Sequence, residues 1–491
     1  MTDRRGPTYR RRGMVLPMML LILVLLGVMA ASSAFYVHAD LSATQSIALR
    51  FQARLAAQAG LQKVMLNLRT DQADVDAWYH NPEQYHRVIV WGQELNDEEL
   101  GTNQEFEEVS PIYRFSVVAD NPNDDEKLVR YGVTDESSKL NINVAGRGQL
   151  LALLSQVVLD DEINIDELVD ALIDWRDADT VPGPFGVESE YYARLDPPYA
   201  VKNAPFDTVE ELLLVRGFDG ALLYGEDYDR NGLMSPNEDD GDETFPPDDA
   251  DNMLHLGLYP YITVASRSLN RASDNSPRTY IFGDRSAISE ALSEVVDDRN
   301  KINYISESGT ANPRITTPAG LLKPRLLGED GGQQQQTEVF SPITLEDMEW
   351  VMDLLTTSMQ QEFVGRININ TAARQVLAVL PALEEEDIDA ILEARGELGP
   401  EQKRSTGWVA PIVGVDKFVA IAPLITTRGS RFHVEVMGYG DHVGTMVRLE
   451  AIIEMRGPVA QMVYNRDITM LGTSYPIRYF EGDPDLVGFT R

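Results

Sequence analysis

The chain has 491 residues and a formal net charge of −36 at pH 7, and 43% of its residues are hydrophobic. This length and composition allow several domains with apolar cores. The lack of cysteine excludes disulfides, thiolate nucleophiles and cysteine-ligated zinc, and the acidic charge argues against binding to a nucleic-acid backbone.

The N-terminus is a basic segment followed by an apolar one. Residues 1–13 contain five arginines and one acid, and Met14–Val37 contains no charged residue. An apolar run of about 20 residues spans a bilayer, and the arginines should stay on its cytoplasmic side. The segment fits a secretory signal cut near Ala30–Ala34, an uncut anchor, or a leader cut between Gly13 and Met14. The last interpretation resembles the type IV prepilin family, in which a prepilin peptidase cuts directly after a glycine that precedes the apolar run.

A helical pattern continues beyond the apolar run. Ile47, Phe51 and Leu55 are spaced by four residues, as on one face of a helix. Residues 14–69 are therefore predicted to form one continuous helix, with Gly60 as its weak point. A membrane-spanning half followed by an amphipathic half that packs under a sheet resembles the spine helix of pilins.

One position departs from the pilin pattern. Most pilins resemble each other in carrying a glutamate at the fifth residue after the cleavage site, where it pairs with the N-terminal amine of a neighbouring subunit. Here that residue is Met18. Without the carboxylate, the subunit is poorly suited to repeat along a filament shaft.

Strand patterns flank a helical middle. Residues 112–119 alternate well enough for a strand, with an antiparallel partner at 127–134, and alternation at 432–436 and 447–453 predicts two more strands. The predicted fold class is α+β: a long pilin-like N-terminal helix packed on an antiparallel sheet, with a large α-helical domain inserted between strands.

The middle of the chain contains a repeat. Lys139-Leu-Asn-Ile-Asn-Val-Ala recurs as Arg366-Ile-Asn-Ile-Asn-Thr-Ala, and each copy leads into two short helices. Such helix pairs resemble helix-hairpin-helix and SAM-like units, which bind DNA through backbone amides at a glycine turn. The candidate turns at 215–218 and 394–397 each contain one arginine among acids. This composition favours structural packing over DNA binding.

Further characteristic segments lie at residues 140–143, 174–179, 188–192, 197–203, 210–217 and 369–372. Together these segments resemble the K-type minor pseudopilin family of type II secretion systems, which also lacks the glutamate and is placed at the filament tip. The resemblance implies a single-pass inner-membrane anchor, a periplasmic head with a large inserted helical domain, and a tip complex with I- and J-type minor pseudopilins. It implies neither a nucleic-acid partner nor a small-molecule substrate.

These patterns divide the chain into parts. Within the inserted domain, residues 225–252 are an acidic loop, and residues 266–340 are predicted to be mostly loop with one helix at 287–295. The predicted parts are a prepilin leader at 1–13, the transmembrane half of the helix at 14–37, the pilin-like helix and first strands at 38–139, the inserted domain at 140–425, C-terminal strands at 426–458 and a tail at 459–491.

The most specific site motif lies in the acidic loop. The run from Asp227 to Glu238 matches the calcium-loop pattern D-x-[DN]-x-[DN]-G-x5-E at every specified position. Eleven acids and one arginine in residues 225–252 are costly to fold without a counterion. Calcium in a structural role is therefore predicted, with a solvated acidic loop as the alternative. The predicted ligands are Asp227, Asp229, Asn231, Glu238, the Leu233 carbonyl, and Ser235 directly or through water.

A second acidic cluster precedes this loop. It is a candidate for a second calcium site, and solvated acids at a helix end are an equal alternative. The resemblance favours the metal, because calcium sites recur in pseudopilins. The candidate ligands are Asp174, Asp177, Asp179, Glu188 and Glu190.

No residue pattern points to catalysis. The six histidines form no His-x-x-x-His pair, and no nucleophile elbow is present. The predicted function is structural, as a minor pseudopilin at the tip of the type II secretion pseudopilus that supports protein export across the outer membrane. Two alternatives stay open: a membrane-anchored DNA-uptake protein that uses hairpin turns, and a calcium-dependent anchored adhesion or scaffold module.

Overall fold

The structure, a computed structural model, describes most of the chain. The predicted leader and the predicted cleavage pair Gly13 and Met14 lie outside the described residues, as does the end of the predicted tail. The described residues are 15–72, 74–92, 112–122, 129–158, 163–241, 248, 250–310, 314–327, 337–441 and 444–474.

The described residues contain α-helices, strands and short 3-10 helices. The helices are α1 (Val15–Asp71), α2 (Val75–Trp78), α3 (Pro82–Tyr85), α4 (Arg147–Val157), α5 (Ile165–Arg176), α6 (Ser189–Tyr192), α7 (Gly220–Tyr224), α8 (Arg285–Ser293), α9 (Arg299–Ser306), α10 (Met348–Leu354), α11 (Arg374–Leu377), α12 (Glu385–Glu397), α13 (Ala410–Val413) and α14 (Val415–Ile421). The strands are β1 (Val88–Trp91), β2 (Tyr113–Asp120), β3 (Val129–Arg130), β4 (Thr134–Asp135), β5 (Leu140–Asn141), β6 (Ile262–Thr263), β7 (Arg267–Leu269), β8 (Thr279–Tyr280), β9 (Arg325–Leu327), β10 (Thr337–Val339), β11 (Leu355–Thr356), β12 (Glu362–Val364), β13 (Ile367–Asn368), β14 (Ile425–Thr426), β15 (Arg431–Gly440), β16 (Met446–Arg456) and β17 (Val459–Asp467).

Helix α1 is one continuous rod. Its 57 residues span about 85 Å at about 1.5 Å per residue, which confirms the single helix predicted from the sequence for the described part of 14–69. Its most apolar 18-residue window has a mean hydropathy of 2.6 and is 0% buried within the described residues. By length and composition, this helix is able to cross a membrane.

An antiparallel seven-stranded sheet covers the C-terminal half of α1. Its main path runs β1–β2–β15–β16–β17, with β3 paired to β2 and β4 paired to β15. The strands predicted at 112–119, 432–436 and 447–453 are confirmed, and the described part of 127–134 supplies β3. This is the predicted fold class, a long helix on an antiparallel sheet.

The sheet extends into residues that the sequence analysis assigned to the tail. Strand β17 pairs with β16 from Val459 to Asp467, so the predicted tail boundary at 459 does not match the structure. Gly457, with a φ of +61°, turns the chain back on itself, because a glycine tolerates this left-handed conformation. Alternate residues of β17, Ala460 and Met462, pack against the core beneath α1.

Two glycines allow α1 to lie directly on the sheet. A Cβ at Gly438 would be 2.2 Å from the Ala53 carbonyl oxygen, and a Cβ at Gly60 would be 2.6 Å from Val436 Cγ1. Contacts this short do not occur between real side chains, so the close packing requires glycine at both positions. Gly60 is therefore a helix–sheet contact point and does not break the helix.

The inserted domain leaves the sheet after β4 and returns to it at β15. At this junction the side chain of Asp135 is fully buried. It accepts hydrogen bonds from the backbone amides of Ser137 (2.8 Å) and Gly429 (2.7 Å) and from Asn368 Nδ2 (2.7 Å). One carboxylate thus holds together the exit strand, the return strand and the second copy of the sequence repeat.

The sequence repeat is a structural repeat. In each copy a short strand pairs in parallel with a distant one, β5 with β6 and β13 with β14. The first asparagine of each copy accepts a hydrogen bond from the amide two residues later, at 3.0 Å from Asn143 N to Asn141 and at 3.0 Å from Asn370 N to Asn368. The shared Asn-x-Asn spacing therefore encodes the turn that leads from strand to helix.

Residues 266–340 contain more regular structure than predicted. Helices α8 and α9 both lie in this segment, and their first turns are capped by the side chains of Asp284 and Asp298. The one helix predicted at 287–295 is present as α8, two residues earlier, whereas α9 was not predicted because its few apolar residues lie among polar ones. The side chains that α8 and α9 bury are Ile288, Leu292, Ile302, Tyr304 and Ile305.

The two candidate hairpin turns differ. Residues 215–218 do form a turn, in which Gly217 has a φ of +85°. Residues 394–397 are the last helical residues of α12, so the turn predicted there is wrong. The single arginine of each segment is engaged within the protein, Arg216 with Glu167 and Arg395 with the Ala372 carbonyl at 2.7 Å.

Candidate metal centre

The acidic loop brings its three carboxylates together. Oxygen atoms of Asp227, Asp229 and Glu238 all lie within 4.8 Å of one another. The sharp turn between them depends on Gly232, which has a φ of +65° and whose amide donates to Asp227 at 3.0 Å. The spacing of the motif thus produces the convergence of oxygens that a hard cation such as Ca²⁺ needs.

The other predicted metal ligands lie in the same turn. Asn231 Oδ1 accepts a hydrogen bond from the Leu233 amide at 2.6 Å, and Asn231 Nδ2 donates to Asp229 at 2.8 Å. The Ser235 hydroxyl donates to Glu238 at 2.6 Å. In this arrangement these side chains hold the carboxylates in place.

Burial of the loop makes its negative charge costly. Burial and the neighbouring Asp120 carboxylate raise the pKa of Asp227 to about 8, and burial and Glu238 raise the pKa of Asp229 to about 6. Both raised pKa values indicate that these buried carboxylates lack a nearby positive charge to stabilise their ionised form. A divalent cation would supply it, so the donor set fits the calcium prediction.

The loop is packed against the outer face of the sheet. Arg448, on β16, donates to the backbone carbonyls of Asp229 and Arg230, the former at 3.0 Å. Strand alternation would leave Arg448 and Glu450 on the polar, solvent-facing side of β16, but both are buried. Strand alternation places them opposite the α1 core, and the sequence gives no signal for what covers them.

The second acidic cluster is smaller than predicted. Asp177, Asp179 and Glu188 have oxygens within 4.8 Å of one another. Glu188 is 8% exposed, and neither of its carboxylate oxygens has a hydrogen-bond partner among the described residues. Burial and the nearby Asp177 raise the pKa of Glu188. Asn203, which no sequence pattern marked, also reaches this cluster, and its buried Oδ1 has no hydrogen-bond partner in the described part of the chain.

Two predicted members of the second cluster do not converge with the other three carboxylates. Asp174 accepts a hydrogen bond from the Gly183 amide at 3.0 Å, and burial raises its pKa to about 6. Glu190 pairs with Arg194 on the surface at 3.5 Å. Asp174 and Glu190 are therefore not among the converging ligands, although Asp174 stays near enough to Glu188 and Asp177 for their charges to raise its pKa further.

Comparison with known proteins points to one family. Residues 127–224 match the family model of the type II secretion system (T2SS), protein K. The chain is 26% identical over 219 residues to the type II secretion system protein K of Klebsiella pneumoniae, covering 44% of this chain and 60% of that relative. It is 39% identical over 72 residues to the protein of the same name from Aeromonas hydrophila, covering 14% of this chain and 22% of the relative. The matched region thus spans less than two thirds of each relative.

A solved structure is also similar. It is a chain of the GspK-GspI-GspJ complex from the enterotoxigenic Escherichia coli type 2 secretion system, with a TM-score of 0.41 and 11% sequence identity. The match covers 88% of this chain and 99% of that chain.

Proposed function

We propose that this chain, whose residues 127–224 match the family model of type II secretion system protein K, is a structural minor pseudopilin at the tip of the type II secretion pseudopilus. In this role it supports protein export across the outer membrane and catalyses no reaction.

The observation that carries the proposal is the continuous rod of α1. Its first half is apolar and unburied, and its second half lies under the sheet. Between these halves Ile47 and Phe51 are 70% and 60% exposed. Exposing large apolar side chains to water is unfavourable. Neighbouring subunits are therefore proposed to cover Ile47 and Phe51 in an assembly.

The tip position is supported by two features. Met18 occupies the position of the usual pilin glutamate, so the subunit lacks the carboxylate that would pair with the next N-terminal amine. The inserted domain lies between β4 and β15 of the sheet, and its bulk is proposed to block addition of a subunit above it.

The partners and location follow from the same proposal. The chain is anchored in the inner membrane by α1, with its head in the periplasm, after a prepilin peptidase cuts between Gly13 and Met14. Its partners are proposed to be the I- and J-type minor pseudopilins in a tip complex. The loop Asp227–Glu238 is proposed to bind Ca²⁺ in a structural role, and the smaller cluster of Asp177, Asp179 and Glu188 is proposed as a second site.

Mass spectrometry of the membrane-extracted protein tests this proposal. We expect a mature N-terminus at Met14. The variant Gly13→Leu should leave the chain uncut, whereas the matched variant Gly27→Leu should be processed normally, because Gly27 has open space around it. A start near Ala31, or an uncut wild-type chain, would refute a pseudopilin.

Co-purification separates this function from an anchored adhesion or scaffold module. The mature protein should bring down two other pilin-like proteins from membranes. Recovery of the mature chain alone, under conditions that preserve the membrane complex, would argue for the scaffold.

A further inference from the structure

A buried arginine joins the acidic loop to the pilin-like sheet. Arg448 is 0% exposed and is among the largest fully buried side chains in the described residues. Its neighbours on β16, Val447 and Leu449, belong to the core beneath α1. Because side chains alternate along a strand, Arg448 lies on the opposite face, where the inserted domain packs.

The guanidinium of Arg448 binds loop backbone as well as sheet. Its Nε donates to Glu435 of β15 at 2.6 Å, and its Nη1 and Nη2 donate to the carbonyls of Asp229 and Arg230. These two carbonyls lie between the candidate ligands Asp229 and Asn231. The position of the ligand side chains is therefore tied to a residue more than 200 positions further along the chain.

The side chain of Arg230 strengthens the same attachment. Its backbone has a φ of +55°, a conformation that non-glycine residues seldom adopt. Its guanidinium donates to the Tyr259 hydroxyl at 2.7 Å and lies 3.5 Å from Glu450 of β16. Tyr259 itself donates to Glu450 at 2.9 Å. The loop is thus held to the sheet through both its backbone and a side chain.

We propose that Arg448 is a positioning residue for the calcium loop, and that calcium binding and docking of the inserted domain on the sheet stabilise one another. This inference rests on the proposed calcium site. The physical reason is that one stretch of backbone, from Asp229 to Asn231, serves both contacts. A partner outside the coordination sphere that orients metal ligands typically changes metal affinity by about 10- to 100-fold, and the coupling must be reciprocal.

Calcium titration of the full chain in detergent tests the inference. The variant Arg448→Lys keeps the charge but loses the forked contact to two carbonyls, and we expect it to bind Ca²⁺ about 10- to 100-fold more weakly. The matched control is Arg456→Lys, on the same strand, whose side chain is 65% exposed, and its affinity should be unchanged. Terbium bound in the loop, sensitised by Tyr228, gives an independent optical measure of occupancy.

A second variant and a measurement on the wild type keep the test decisive if Arg448→Lys misfolds. Arg230→Gly keeps the left-handed backbone and removes the contacts to Tyr259 and Glu450, so its calcium affinity should fall several-fold while the protein stays folded. In the wild type, chelation of calcium should increase hydrogen exchange in β16 as well as in residues 227–238.

The outcomes distinguish this inference from the proposed calcium site. If the wild type binds neither calcium nor terbium, the calcium site itself fails and the inference fails with it. If the wild type binds calcium but both variants bind it equally well, or if chelation changes exchange only within the loop, the site stands and the coupling is overturned.

Discussion

The two copies of the structural repeat share a scaffold but differ in the connection that closes it. In the first copy, residues 225–261 link α7 to β6, and this connection contains the acidic loop. In the second copy, residues 422–424 link α14 to β14. The parallel strand pair that follows has the same register in both, with Leu140 opposite Ile262 and Ile367 opposite Ile425.

This difference shows where the candidate site resides. The strand pair, the Asn-x-Asn turn and the following helices recur without a metal-ligand cluster around the second copy in the described residues. Both candidate clusters belong to loops of the first copy, and its long connection also reaches the outer face of the sheet through Arg230. The repeat therefore serves as a scaffold. The candidate site lies in loops that connect the elements of this scaffold, where insertions are tolerated.

The largest expected effect tests whether the two scaffolds are equivalent. Ile142 and Ile369 occupy matching positions and are 1% and 0% exposed. Their amides donate to Thr263 and Thr426, each at 2.9 Å. We expect Ile142→Ala and Ile369→Ala each to lower the free energy of unfolding by roughly 2–5 kcal/mol, as measured by denaturant unfolding of the full chain in detergent.

The exposed Leu213 provides the control for these two variants. It is 41% exposed, so Leu213→Ala should change stability by less than about 1 kcal/mol. A large loss for one isoleucine and none for the other would show that only one copy is part of the cooperative core.

A smaller effect should distinguish the copies through their arginines. Arg176 donates to the carbonyls of Ile142 and Ala145, whereas Arg395 donates to the carbonyl of Ala372. Leaving a buried polar group unpaired costs about 1–3 kcal/mol. Thermal and denaturant unfolding should therefore show a greater loss for Arg176→Ala, roughly 2–4 kcal/mol, than for Arg395→Ala, roughly 1–2 kcal/mol.

The exposed Arg194 is the reference for charge removal alone. Its side chain is 76% exposed, and its ion-pair partner among the described residues is Glu190, which is 89% exposed, so Arg194→Ala should be nearly neutral. Equal losses in the free energy of unfolding for Arg176→Ala and Arg395→Ala would mean that this loss does not depend on how many carbonyls the arginine pairs with.

Much of this comparison was predictable from the sequence. The continuous helix, the strand alternation, the repeat and the convergence of Asp227, Asp229 and Glu238 follow from local spacing. Local spacing determines backbone conformation over a few residues, and that was enough to place these features.

The features that sequence reasoning missed depend on contacts between distant segments. Arg448 and Asp120 reach the acidic loop from strands of the sheet, and Asn203 reaches the second cluster from a separate loop. Their side-chain types are ordinary for a strand face or a turn. Only the packing of the inserted domain on the sheet gives them a role.

The last expected effect depends on pH and concerns the junction that the first copy makes with β15 and β16. His433 donates to or accepts from Glu450 at 2.9 Å in a buried cluster. Although burial opposes it, the hydrogen bond to Glu450 raises the pKa of His433 above its ordinary 6.5. The stability from this pair is therefore fully present below pH 6.5 and is lost as the pH rises through the higher folded-state pKa. The charged and titratable groups that face the pair are Lys139, Glu136, Tyr259, Arg230 and Arg466.

Thermal unfolding from pH 6 to 9 should show this loss of stability. His433→Gln should reduce it by about 1.5–3 kcal/mol at the acidic end, the range for a hydrogen bond to a charged group. His86 is the matched control, because burial and Arg87 lower its pKa to about 4. It is therefore neutral throughout this range, and His86→Gln should keep the wild-type slope.

The second copy meets the sheet through Asp135, where burial raises the pKa to about 6. The ionisation of Asp135 therefore lowers stability between about pH 4 and 6 and not above. Because the pKa of Asp227 is about 8, its ionisation also lowers stability up to about that pH. A slope above pH 7 that is unchanged in His433→Gln would therefore assign the loss to Asp227 or another group and not to the His433–Glu450 pair.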